Sequence, residues 1–283
     1  MHPVAPCNNS AFLELPNGAR QPMTKFQIPD TVAEITERYL ELAQEAGVAP
    51  AALYLTGSVA LDDFREGLSN INFVAVNQDP PPREELLLLG EVHKALRTEY
   101  PQPWFSGIYV TWADLARDPA LSSKIHGQIE GHWGTVGSAD ANPAVWMTLR
   151  SHPLAIRGPE SPEVWADPMV FKRWNLDRIN TFWRSWMSRN EDKPMTAQAL
   201  LFCMPGLLRA HYGIAVGDVT SKSGACQHGF SVIPDVWHGP IQDALEFRQG
   251  VRTPDGRPYQ RGQKALALLR LLIADANKLR PKN

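Results

Sequence analysis

The chain has 283 residues, a formal net charge of −2, 43% hydrophobic and 20% charged residues. That is the size of one large domain or two ordinary ones with a sizeable core, in the composition of a soluble globular protein. A charge so near neutral argues against a nucleic-acid binder that relies on a broad basic field. No apolar stretch is read as approaching the ~20 residues of a membrane span, so no membrane contact is expected. The N-terminus has no basic region followed by an apolar core, and no signal peptide is expected. Cys7, Cys203 and Cys226 are odd in number and far apart, which suggests reduced thiols in a cytoplasm and no disulfide frame. The eight histidines form no HxxxH or HExxH pair, so a His-bound metal is not expected.

Residues 1–29, rich in Pro, Asn and Gly, read as an extended arm. Thr31 and Glu34 have the spacing of a capping box, and Val32, Ile35, Tyr39, Leu42 and Ala46 then follow one helical face up to Gly47. Short buried strands are expected over residues 52–55 and 71–76, a helix over 83–98 after three prolines, and a strand over 106–112. This order describes a small α/β domain with a mixed sheet. The stretch 126–143, with four glycines and a proline, reads as the connection to a second domain. From about Val145 the pattern is long and helical: residues 171–189, then 196–216, where Pro205-Gly206 predicts a kink or break, and finally 263–279. The fold expected is α+β, with an arm over 1–29, an α/β domain over 30–144 and a helical domain over 145–283.

One segment carries chemistry. In LYLTGSVALDDFREGLSNINFVAVN, residues 53–77, a strand ends in Gly57-Ser58 and a polar turn leads to Asn70-Ile71-Asn72 at the start of the next strand. Glycine lets a backbone amide approach a phosphate closely, with a hydroxyl beside it. Polar residues one apart on a strand share a face, because side chains alternate. Aspartates at such positions could hold Mg²⁺ against phosphate oxygens. A structural hairpin is the plain alternative for Gly-Ser alone.

The segment LTGSVALDDFREGLSNINFVAV resembles the GS…DxD signature of the nucleotidyltransferase superfamily, in the form found in aminoglycoside adenylyltransferases. GIYVTWADLA, LAIRGP, the Trp-rich helix and LLRAHYGIAVGDVTSKSGA resemble later segments of that group in the same order, so the likeness spans roughly residues 30–250. It implies a nucleotidyltransferase domain and a helical domain, with ATP and the antibiotic between them, Mg²⁺ as cofactor, and transfer of AMP to a hydroxyl of a small, cationic molecule. Gly57 and Ser58 match the family's phosphate-contacting pair, and Arg209 and Lys222 match basic residues that approach the nucleotide. Asn70 and Asn72 fall on its two metal-binding aspartates. No carboxylate occurs on the strand 106–112, where the family's third acid, its base, should lie; Asp114 just beyond reads equally as a helix cap.

An asparagine keeps the shape of aspartate and loses its charge, and its amide oxygen is a poor ligand for Mg²⁺. The chain as written is therefore expected to be a very weak catalyst with its metal site disabled. Three explanations stay open at this point: an engineered isosteric replacement, a natural pseudoenzyme that binds without turnover, or altered chemistry that recruits Asp62, Asp63 or Glu66 of the turn. The plain reading of those three acids is solvated turn charge. A scaffold whose turn matches by accident is a fourth reading, against which the later segments stand. Trp174, Trp183 and Trp186 have helical spacing and read as core; Trp104, Trp112 and Trp133 lie where an aromatic could stack on a base or line a sugar pocket. Asp114, Glu130 and Asp177 could pair with ammonium groups of the small molecule, with Trp112, Asp114 and Asp177 taken as substrate-binding candidates.

Overall fold

The structure, a computed structural model, describes residues 12–14, 20–22, 28–122, 125–137, 140–251 and 257–280. Most of the expected arm, Cys7 included, lies outside them; within it β1 (Phe12–Glu14) and β2 (Arg20–Pro22) pair antiparallel. The main sheet has six strands: β3 (Ala52–Thr56), β4 (Ile71–Asn77), β5 (Phe105–Thr111), β6 (His126–Ile129), β7 (His132–Thr135) and β8 (Leu154–Arg157). Their order is β7-β6-β5-β4-β3-β8, with β4 and β5 parallel and the other neighbours antiparallel. The parallel pair is joined by α3 (Arg83–Glu99), since a parallel connection must cross from one end of the sheet to the other. The architecture is α+β, as the sequence led one to expect.

Alternation sorts the strand side chains cleanly. Leu53, Leu55, Ile71, Phe73 and Ala75 join one core with Val32, Ile35 and Tyr39 of α1 (Asp30–Glu45) and with Leu89, Val92 and Leu96 of α3. Tyr54, Val74, Val76, Ile108 and Val110 point the other way, onto Trp146 and Leu149 of α5 (Pro143–Ser151). Burying each such large apolar side chain is worth roughly 1.5–3 kcal/mol. Asn70 and Asn72 are in phase with Val74 and Val76, so both carboxamides belong to the α5 side of the sheet.

The connections differ from the sequence reading in three places. No capping box opens α1: Pro29 occupies the N-cap, Thr31 donates to Glu66 Oε1 at 3.4 Å and Glu34 accepts from the Tyr100 hydroxyl at 2.8 Å. The glycine-rich stretch 126–143 is not a linker, because its glycines serve the edge hairpin β6–β7. There Glu130 and Gly131 both take positive φ (47° and 85°), the conformation of a tight two-residue turn. β8, beyond Val145, pairs with β3, so α5 and β8 continue the sheet layer past residue 144.

The helical layer comprises α6 (Pro168–Arg178), a π-turn over Ile179–Trp183, α7 (Arg184–Arg189), α8 (Ala197–Val216), α9 (Lys222–Val232), α10 (His238–Arg248) and α11 (Pro258–Lys278). Two four-residue helices, α2 (Gly57–Ala60) and α4 (Trp112–Leu115), lie in the sheet layer. α8 runs through Pro205-Gly206 without a break. A Cβ at Gly206 would meet Trp183 Cη2 at 2.6 Å, so the glycine is the notch that admits Trp183, and packing outweighs local propensity. α8 is also apolar and long enough to cross a membrane, contrary to the sequence reading. Its Leu200, Met204, Leu207 and Leu208 are fully buried in the helical core. Cys203 and Cys226 lie in that core as free thiols, each pushed up to about 12 by burial.

Candidate functional site

Where the ends of β3, β4 and β5 face α8 and α9, a cleft of about 460 Å³ opens, with a smaller cavity of about 150 Å³ beside it. Gly57, Asn70, Asn72, Arg209 and Lys222 line both. Ser58 lines the smaller one, so all six residues singled out at the motif and on the helices share that cavity. They come from four places: the turn into α2, the start of β4, the middle of α8 and the first position of α9.

Local geometry explains why glycine stands at 57. Its φ is +63°, and a Cβ there would lie 2.5 Å from Asn72 Nδ2. Asn72 is paired with Thr56 on one side and with Ser106 on the other, which fixes its carboxamide beside the Gly57 turn. Neither Asn70 nor Asn72 is fully buried, and neither side chain has a hydrogen-bond partner among the described residues.

The charges of the smaller cavity are lopsided. Arg209, Lys222 and Arg248 face a single carboxylate, Asp63. Burial is the main force lowering the pKa of Arg209, and also of Lys222, where the nearby charges of Arg248 and Arg209 add to it. Asp63 is not a solvated turn charge. It is 3% exposed and accepts from Ser223 Oγ at 2.7 Å and Ser223 N at 3.0 Å, with Arg248 Nη2 2.9 Å away. Burial works against its ionised form, yet the Ser223 bonds and the Arg248 charge outweigh it and hold the carboxyl below its ordinary range. Asp63 thereby ties the sheet-layer turn to α9 and α10 and is not free for chemistry. Asp62 and Glu66 are exposed and do not line either cavity.

The larger cleft has a second, acidic end. Ser106 of β5 stands opposite Asn72, and its hydroxyl accepts from the Glu130 amide at 3.0 Å. Glu130 and Asp140 both line the cleft. Burial raises the Asp140 pKa, and the Glu130 charge adds to that. On the helical side Arg178 lies 4.9 Å from the Trp174 ring centre and 5.0 Å from that of Phe182, presenting a planar cation–aromatic surface.

The substrate-binding candidates are placed elsewhere. Trp112 packs on the α5 side of the sheet core, and Asp114 closes a capping box with Thr111 and pairs with Arg117. Asp177 is exposed on α6, one residue before Arg178, and is not among the residues that line the cleft. Trp133 stacks on His93 in the sheet core, and Trp104 lines a minor cavity at its edge. Trp174 and Trp183, taken for core, do line the cleft, though Trp183 is nearly buried. Arg178, Asp140 and Arg248 were missed; a single charged residue in a helix or loop carries no local signal of the cavity it meets.

Mg²⁺ favours a shell of hard oxygen ligands that usually includes carboxylates. Asn70 and Asn72 offer neutral amide oxygens, and no group of three His, Cys, Asp or Glu suited to a metal occurs among the described residues. The donor set does not fit the ion.

No family model matches the chain, and no curated protein does. Among solved structures it resembles that of the spectinomycin adenyltransferase AAD(9) from Enterococcus faecialis with ATP and spectinomycin. The TM-score is 0.62 at 11% identity, over 86% of this chain and 99% of that one. The chain shares the fold of that solved structure. At that identity the likeness speaks for architecture alone, so residue roles must come from the cleft itself.

Proposed function

We propose that the cleft holds a nucleoside triphosphate, ATP by the likeness, with its phosphates toward Ser58, Arg209 and Lys222. A small, cationic, hydroxyl-bearing molecule would lie beside it, toward Glu130 and Asp140. In this reading the lineage transfers AMP to that hydroxyl, and the chain as written does so very weakly or not at all. The observation that carries it is the convergence of Gly57, Ser58, Arg209 and Lys222 on one cavity with two carboxamides where a metal-using site needs carboxylates. Half-buried and buried cations with little counter-charge favour an anionic ligand. The larger cleft, at about 460 Å³, is within the range of small-molecule sites. The structural neighbour was crystallised with ATP and spectinomycin, one anionic and one small antibiotic ligand.

A natural binding protein without turnover is the second reading, favoured by the absence of a free carboxylate at Asn70, Asn72 and Ser106. Altered chemistry through the turn is disfavoured, since Asp63 is already committed to Ser223 and Arg248. The test is pyrophosphate release from ATP and Mg²⁺ with a panel of aminoglycosides and aminocyclitols. It compares this chain with the Asn70→Asp/Asn72→Asp double variant, alongside calorimetric ATP binding. Turnover confined to the double variant supports the disabled enzyme. Binding by both without turnover supports the binding protein. No ATP binding by either overturns both readings.

A further inference from the structure

Arg248 has no counterpart in the motif or in the helical segments that pointed to the site, yet it is a wall of the smaller cavity. It closes α10, is 4% exposed, and meets Ser58, Asn70 and Lys222 across about 150 Å³. Its hydrogen bonding is incomplete. Nη2 is held by the Asp63 carboxylate and by the Asp63 backbone carbonyl, whereas Nε is buried without a partner. A buried donor without an acceptor is costly, and a guanidinium offers its donors in a fixed fork that suits phosphate oxygens.

Charge counting points the same way. Three cations and one carboxylate of the chain line the cavity, a net of two positive charges. Two carboxylates holding one divalent ion contribute no net charge, and two carboxamides holding none contribute none either. The Asn70/Asn72 pair therefore leaves the field of the surrounding cations on a phosphate group as it would be in a one-metal site. What it removes is the bridge between oxygens, not the attraction.

We infer that this cavity is a polyphosphate site that works without a divalent cation, and that Arg248 is its third phosphate-binding cation beside Arg209 and Lys222. The inference rests on the nucleotide reading of the cleft and adds to it a metal independence and a residue. The ligand class is the di- or triphosphate group, alone or as part of a nucleotide. The burial and mutual repulsion that lower Arg209 and Lys222 would be relieved by such an anion.

The test is calorimetry of the full chain with inorganic tripolyphosphate and with ATP, each in excess EDTA and then in excess MgCl₂. Both ligands should bind in EDTA, with affinities within about threefold of those in Mg²⁺, and Arg248→Gln should weaken tripolyphosphate by about ten- to a hundredfold. Asp63→Asn separates binding from mere support. It breaks the same clamp but raises the positive charge, so it should bind tripolyphosphate at least as tightly as the parent, whereas a purely structural Arg248 predicts loss in both variants. If Arg248→Gln does not fold, Arg248→Lys replaces it, because it keeps the charge and gives up the fork. A loss of several-fold then supports the site, and unchanged affinity overturns it. Binding only in Mg²⁺ rejects metal independence and leaves the nucleotide reading standing. No binding of ATP in either condition rejects that reading as well.

Discussion

On the sheet side of the cleft Gly57, Ser58, Asn70 and Asn72 carry no formal charge; on the helical side Arg209, Lys222 and Arg248 carry three positive ones. Under the proposed reading, the two walls would divide the work of a nucleotidyl-transfer site. In a metal-using site the sheet wall would hold the ions and the reacting oxygens, and the helical wall would hold the phosphates. Here the first wall brings a single carboxylate, Asp63, already held by Ser223 and Arg248, and the second brings three cations. In that reading binding and chemistry would rest on different elements, and one could be absent while the other persists.

The largest effect expected is on the joint between the walls. Asp63→Ala removes the one carboxylate that links the turn to Ser223 and Arg248, and leaves a nearly buried guanidinium without its counter-ion. Breaking a buried pair in this way costs about 3–5 kcal/mol. Urea unfolding should show that loss, with tryptophan fluorescence reporting on the helical layer. A change below about 1 kcal/mol would mean that the walls are held together elsewhere.

Next in size is Lys222→Ala, aimed at the charged wall alone. Lys222 is the first residue of α9 and lines both cavities, so its removal should weaken ATP binding by about 1–3 kcal/mol, the range for a charge-assisted hydrogen bond. Fold stability should change little, because its ammonium group makes no hydrogen bond or close ion pair among the described residues and feels Asp63 only at a distance. Equal ATP affinity in parent and variant would remove the charged wall from the binding account.

Both walls were legible in the sequence to different depths. Gly57, Ser58, Asn70 and Asn72 lie within one turn and two strands, so spacing and alternation were enough to put the amides on one face. Arg209 and Lys222 were reached only through the likeness, since nothing in a helix sequence says which distant strand it faces. Arg248, Asp140 and Arg178 had no signal of either kind. Glycine-rich spacing is ambiguous by itself: at 126–143 it built a hairpin where a linker was expected. At Pro205-Gly206 a local breaker was overruled by the packing of Trp183. β8 was not read as a strand for a related reason, because its pattern is a strand's only in the company of β3.

Acid should distinguish the layers that carry the walls. His93, in the sheet core, is 2% exposed, stacks on Trp133 and lies 2.7 Å from the Tyr109 hydroxyl, which is itself 2.6 Å from that of Tyr39. Burial drives its pKa down from 6.5 to about 3. The folded chain thus keeps His93 neutral while the unfolded chain protonates it near pH 6.5, so stability is full above that pH and falls as pH drops toward 3. Between pH 7 and 5 this one residue should cost about 2 kcal/mol. Thermal melts at the two pH values measure it, and His93→Gln should flatten the difference. If the variant keeps the same acid sensitivity, the proton uptake lies elsewhere; His228, whose pKa is lowered mainly by burial and further by His211, is the next group to replace.

The smallest effect concerns the acidic end of the cleft, and it asks whether the sheet wall is truly without charge where the small molecule would sit. Glu130 holds a left-handed backbone conformation at φ +47°, which non-glycine residues other than Asn and Asp rarely adopt. Its amide is fixed by Ser106, and its side chain lines the cleft with Asp140. A cationic ligand there would be met by two carboxylates, one of them exposed and screened by solvent. Glu130→Gln should therefore weaken binding of a cationic aminocyclitol by only about two- to fivefold, as for other exposed ion pairs. ATP affinity, governed by the far end, should not change. Titrations with each ligand separately decide between three arrangements. Loss for the aminocyclitol alone keeps the cleft's two ends distinct. Loss for both means that the nucleotide reaches across to the hairpin. Loss for neither removes Glu130 from the site and leaves Asp140 as the remaining carboxylate of that end to test.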